Sequence, residues 1–171
     1  MIRGIINAGI DLGKSEMLTS QLYAFERGRR QAATLSIKYV LSGEENYQVN
    51  NDVYAVKAGN FLLIEQDSTY TTFLSPRQLN EGLCLYIDRH VIEDVAYTLT
   101  QKDEGRCLEQ PFREAGRTFD LTEGTYRDEE SAFGRQLSAI GREALANGGK
   151  LQDYSSEQFY LLVEKFVFTQ K

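Results

Sequence analysis

The stretch that most limits what this chain can fold into is LSIKYVLSGEENYQVNNDVYAVKAGNFLLI, Leu35 to Ile64. Its first run alternates: Leu35, Ile37, Tyr39 and Leu41 fall on one face, and Ser36, Lys38, Val40 and Ser42, mostly polar, on the other. A period of two is the mark of a half-buried strand. After Ser42-Gly43-Glu44-Glu45 a second strand carries Tyr47 and Val49. Asn50-Asn51-Asp52 tolerates left-handed backbone and closes a hairpin onto Val53–Val56. Lys57–Asn60 turns the chain again, and Phe61–Ile64 reads as a strand buried on both faces. The stretch predicts an antiparallel meander on which the remainder packs.

Length and charge bound the rest. The 171 residues are one domain, or one domain with a helical appendage. A hydrophobic content of 42% supports a real core. The balance is acidic, 19 Lys and Arg against 25 Asp and Glu, net -6. Phosphate backbones are held by clustered positive charge, so this chain is not expected to grip nucleic acid by itself. The short basic run Arg27, Arg29, Arg30 reads as a solvated turn. Cys84 and Cys107 give neither a disulfide framework nor a metal spacing, and Cys84, within GLCLYI, reads as a small buried hydrophobe. No signal peptide and no membrane span is evident, which by default predicts a reduced, cytoplasmic location.

Residues 1–19, Gly-rich and weakly patterned, read as an N-terminal arm. Residues 20–122 read as a β-barrel, opening with a strand over Ser20–Glu26 that Gly28 breaks. After the meander, Thr69–Leu74 is β-prone, Pro76 marks a loop, and Leu83–Ile87 is a buried strand. At Asp88 the period lengthens, predicting a capped helix over residues 89–101 with Val91, Ile92, Val95 and Leu99 inward. Residues 112–122 suggest one more strand pair or a covering segment. Residues 125–171 are helical: about Asp128–Ala146 with Phe133, Leu137, Ile140, Ala144 and Leu145 on one face, then a stop at Asn147-Gly148-Gly149. A second helix opens on Ser155-Ser156-Glu157-Gln158 and is apolar around most of its circumference. Such a helix needs cover on two sides, from the barrel and from either a second subunit or the same chain. The expectation is a homodimer built on Leu137, Phe159, Leu162 and Phe166.

Catalytic patterns are scarce. The single histidine, His90, stands at a helix start, and one imidazole does not furnish the two or three that a barrel metalloenzyme uses. There is no Gly-rich phosphate loop and no G-x-S-x-G elbow. The expectation is therefore a chain without catalytic residues, metal or cofactor. The ten tyrosines are more suggestive, since a Tyr inside a small barrel offers an apolar ring and one hydroxyl to a small organic ligand. Ordinary half-buried strand tyrosines are the alternative. The candidate ligand residues are Tyr39, Tyr54, Tyr70 and Tyr86, with Arg27 or Arg30 at the mouth for an anionic effector.

Gly43, Tyr47, Tyr54, Val56, Gly59 and Phe61–Ile64, in the pattern G-x-x-x-Y, hairpin, Y-x-V-x-x-G, apolar strand, resemble the N-terminal regulatory domain of AraC-type transcription regulators. LCLYIDRHVIEDVAYTL looks like that family's last barrel strand passing into a helix. The resemblance implies a mainly β fold with C-terminal helices, a cupin-like antiparallel barrel or jelly roll followed by a helical pair. It also implies an effector-sensing and dimerising role, with DNA contacted only through a helix-turn-helix domain that is not part of this chain. Within the pattern, Gly43 and Gly59 would take φ > 0 at turns, and Tyr47 and Tyr54 would pair across the hairpin. A cupin-type metal-dependent enzyme and a ligand-free structural dimerisation barrel are the alternatives.

Overall fold

The structure is a computed structural model that describes residues 2–6, 10–12, 15–74, 78–102, 125–127, 132–148, 151 and 156–169. Its strands are β1 (Ile2–Ile6), β2 (Ile10–Leu12), β3 (Ser15–Gln31), β4 (Leu35–Ser42), β5 (Glu44–Val49), β6 (Asp52–Lys57), β7 (Asn60–Ile64), β8 (Thr69–Leu74), β9 (Asn80–Ile87) and β10 (Thr125–Arg127). Helix α1 spans Arg89–Lys102, α2 Ala132–Ala146 and α3 Ser156–Thr169.

The organising element is β3. Its first half pairs with β9, Glu16 opposite Tyr86 through Leu22 opposite Asn80. Its second half pairs with β8, Phe25 opposite Leu74 through Gln31 opposite Thr69. The register slips between Arg27 and Arg30, and Gly28 within the slip has open space where a Cβ would stand. β3 thus gives one strand to each of two antiparallel sheets. The first runs β7-β4-β9-β3 with β10 added at the β7 edge, and the second runs β3-β8-β5-β6. Eight strands crossing between two sheets in this order form a jelly roll. The fold is an antiparallel jelly-roll barrel, mainly β, with helices at its C-terminal end.

Several expectations are corrected here. The Leu35–Ile64 stretch is not a meander: only β5 and β6 pair as neighbours, while β4 pairs with β7 and β9 in the opposite sheet. Turn spacing marks where strands end, and long-range pairing decides which sheet each joins. The leading residues are not a loose arm, since β1 and β2 both pair with β3. Gly28 does not break β3. The predicted segment over residues 112–122 lies outside the described residues, as does Cys107.

The turn chemistry holds. Gly43 and Gly59 have φ of 87° and 85°, and Asn50 at the β5–β6 turn has φ 52°. A Cβ on Gly43 would lie 2.5 Å from Asn80 Oδ1. That oxygen accepts the Glu44 amide at 3.0 Å, while Asn80 Nδ2 donates to the Leu22 carbonyl at 3.3 Å, pinning a turn of one sheet to β3. Tyr47 and Tyr54 are directly opposite across the hairpin, as the pattern predicts. Asp88 precedes α1 and its carbonyl accepts the Val91 amide at 3.0 Å. Its own amide donates to Ser15 Oγ at 2.9 Å, tying the helix start to β3.

The helices cover the outer face of the first sheet. Met17, Ile37, Tyr39, Phe61, Leu83, Leu85 and Ile87 pack there against Ile92, Val95, Phe133, Leu137, Phe159, Leu162 and Phe166. Phe133 stands edge-on to Phe61 at 5.7 Å and tilted on Phe166 at 5.2 Å. Each such buried side chain contributes about 1.5–3 kcal/mol. Leu137, Phe159, Leu162 and Phe166, predicted to meet a second subunit, are at most 2% exposed within the single chain. They close the protomer's own core. Among the described side chains of α3, the large apolar ones left in solvent are Tyr160 and Leu161, 41% and 51% exposed.

Candidate binding site inside the barrel

The polar face of β4 points into the barrel, because its apolar face is taken by the helices. Lys38 therefore lies between the sheets at 3% exposure. In register beside it on β9 is Cys84, and beside Cys84 on β3 is Leu18. Ser20, Leu22 and Tyr86 complete this wall. The second sheet contributes Arg27, Arg30, Glu45, Tyr47, Thr72 and Leu74 across a cavity of about 110 Å3. A smaller apolar cluster, Val40, Tyr47, Val49, Val56, Leu62, Ile64 and Tyr70, fills the neighbouring interior.

The polar contacts are few. Lys38 Nζ donates to Tyr86 Oη at 2.8 Å and stands 4.3 Å from the Tyr86 ring centre. Among the described residues no carboxylate reaches ion-pair distance of it. Arg30 lies over the Tyr70 ring at 4.0 Å, its Nη2 donates to Thr72 Oγ1 at 3.1 Å, and its buried Nη1 finds no acceptor. Tyr47 Oη donates to Glu45 Oε2 at 2.5 Å. A Cβ on Gly82 would stand 2.7 Å from Glu45 Oε1, so a glycine there makes room for the carboxylate.

Burial sets the electrostatics. It pushes the Glu45 carboxyl up, against the Tyr47 hydrogen bond and the Lys38 charge, which pull it down. It pushes the Cys84 thiol up, with Lys38 opposing, and the Tyr47 and Tyr86 phenols up as well. For Lys38 burial, the largest influence, acts downward, while the neighbouring Cys84, Tyr86 and Tyr70 and the hydrogen bond to Tyr86 act upward. Lys38 thus sits in a largely desolvated cavity with the Tyr86 hydroxyl as its hydrogen-bond partner.

Of the predicted ligand residues, Arg27, Arg30 and Tyr86 line this cavity, and Tyr70 lies beneath the Arg30 guanidinium in the neighbouring cluster. Tyr39 faces the helices, one position out of phase with Lys38, and joins their core. Tyr54 is half-buried against the interior cluster beyond the cavity. Lys38, Glu45 and Cys84 were not expected here. Lys38 reads as solvent-facing when the apolar face of β4 is taken for the barrel interior. The helices on that face invert the assignment.

The cavity's donor set does not fit a metal ion. Among the described residues no three His, Cys, Asp or Glu side chains converge. In the cavity Glu45 and Cys84 are the available ligands, facing Lys38, Arg27 and Arg30, whose charges oppose a bound cation. His90 is on the exposed surface of α1, 3.7 Å from Glu93.

No family model matches this chain's sequence, and no curated protein matches it. Among solved structures it is similar to a cupin protein from Bacteroides fragilis, 17% identical with TM-score 0.42, over 48% of this chain and 78% of that one. It is also similar to an RmlC-like cupin family protein with a double-stranded β-helix fold from Methanocaldococcus jannaschii, 8% identical with TM-score 0.45, over 50% and 81%. A cupin superfamily protein from Desulfitobacterium hafniense is 8% identical with TM-score 0.43, over 52% and 78%. No helix among the described residues is long and apolar enough to cross a membrane.

Proposed function

We propose that this chain is a small-molecule sensor, the effector-binding domain of an AraC-type transcription regulator, which binds without turning its ligand over. The observation that carries this reading is the construction of the first sheet. On β4 and β9, Lys38, Cys84 and Tyr86 line the cavity, while the adjacent Ile37, Tyr39, Leu85 and Ile87 pack on the helices. One strand thickness therefore separates an internal ligand from α1, α2 and α3. A ligand that shifts β4 or β9 moves the helical layer with it, because close-packed interiors transmit displacement rather than absorb it. An attached DNA-binding domain, or a second copy docked on Tyr160 and Leu161, would read that movement.

The test is a thermal-shift screen of metabolites combined with hydrogen exchange. A compound that binds the folded state raises its melting temperature. The sensor reading expects that compound to change amide protection in α1 and α3 as well as in β4 and β9. Protection changes confined to the barrel would remove the signalling half of the proposal. A screen in which no compound stabilises the protein would favour a barrel that serves structure alone.

A further inference from the structure

Resting on that sensor reading, we infer that the cavity takes a small monocarboxylate, its head among Lys38, Arg30 and Thr72 and its apolar remainder on Leu18, Leu22 and Leu74. Lys38 carries the argument. The residue is 3% exposed, its one hydrogen bond goes to the Tyr86 hydroxyl, and no described carboxylate pairs with it. A buried charge left unpaired costs several kcal/mol, so folded proteins supply a counter-charge or bind one. Arg30 repeats the pattern. The Tyr70 ring and Thr72 hold its guanidinium in place, and its buried Nη1 has no acceptor. Both cations lie around the same ring, Lys38 Nζ being 5.7 Å from the Tyr70 centre. A planar carboxylate matches a fixed guanidinium edge and an ammonium together.

Glu45 is the internal rival for that role. Its carboxylate is committed to the Tyr47 hydroxyl and does not reach Lys38. It also selects among anions, since a doubly charged phosphate would set two negative charges against it in the same cavity. Leu18, Leu22 and Leu74 give the cavity its apolar part, and a volume of about 110 Å3 suits a short aliphatic or single-ring acid.

Cys84 provides the reporter, because it shares the cavity wall with Lys38. With Cys107→Ser as background, Cys84 is the only thiol in the chain. Alkylation of Cys84 and melting temperature are measured with hexanoate and benzoate, with their neutral amides, and with inorganic phosphate. The inference expects both carboxylates or one of them to slow alkylation and raise the melting temperature, with the amides and phosphate inert. Lys38→Met and Arg30→Gln should each weaken carboxylate binding by about tenfold or more, and Arg30→Lys should recover part of the loss. Equal protection by the amides overturns the carboxylate while leaving the sensor reading intact. Protection by phosphate alone overturns it in favour of a phosphorylated ligand. Protection by carboxylates that survives both Lys38→Met and Arg30→Gln overturns the assignment of the head group. No protection by any of these probes, beside a stabilising hit elsewhere in a metabolite screen, overturns the carboxylate alone.

Discussion

At the scale of single residues, the barrel interior holds a carboxyl and a lysine that form no ion pair with each other. The Glu45 carboxyl is raised by burial above its ordinary value of 4.5. Between the unfolded and folded values the folded protein holds a proton that the unfolded chain has released. Its contribution is therefore greatest below the unfolded value and is lost as pH rises through the folded one. Glu45→Gln should flatten this profile. Melting temperature followed from neutral pH down to about 4.5 should rise for the parent relative to the variant, and parallel profiles would refute the assignment. Gly43→Ala should cost about 1–3 kcal/mol, because φ is 87° and the new Cβ would press on Asn80. Urea unfolding measures it. These two residues differ in how far the sequence announces them. Gly43 lies in a polar turn between apolar runs, so its conformation was legible locally. Glu45 and Lys38 were not, since which face of a strand is interior depends on elements fifty or more positions away.

At the scale of elements, α3 separates two roles that its sequence runs together. Phe159, Leu162 and Phe166 are inside, while Tyr160 and Leu161 are out. A helix apolar on most sides shows that cover is needed without showing who supplies it, and here the first sheet and its companion helices supply most of it. Phe166→Ala should destabilise the protein by about 3–5 kcal/mol. Leu161→Glu should stay within about 0.5 kcal/mol in folding stability while abolishing any self-association through α3. Denaturant midpoints together with light scattering separate the two. Loss of the fold with Leu161→Glu would contradict the placement of that side chain. The positions of α1 and of the last two helices were readable from periodicity and stop signals. The jelly-roll pairing was not, because Ser36–Ile64 and Glu16–Tyr86 partnerships leave no local mark.

At the scale of the whole molecule, β3 has a consequence for how the protein is made. It belongs to both sheets, yet its partners β8 and β9 are synthesised long after it, Glu16 waiting for Tyr86. Contacts of such sequence separation are slow to form, because the intervening chain must be closed into a loop first. Local hairpins such as β5–β6 can form early, but the second sheet waits for Leu74 and the first half of β3 lacks β9 until Ile87 has left the ribosome. A nascent chain stalled before that point presents β3 as a long, open edge, the state in which unpaired strands recruit the wrong partners. The vulnerable period for this protein is therefore its own translation, and slowing synthesis ahead of β9 should lower its soluble yield more than destabilising the finished barrel does.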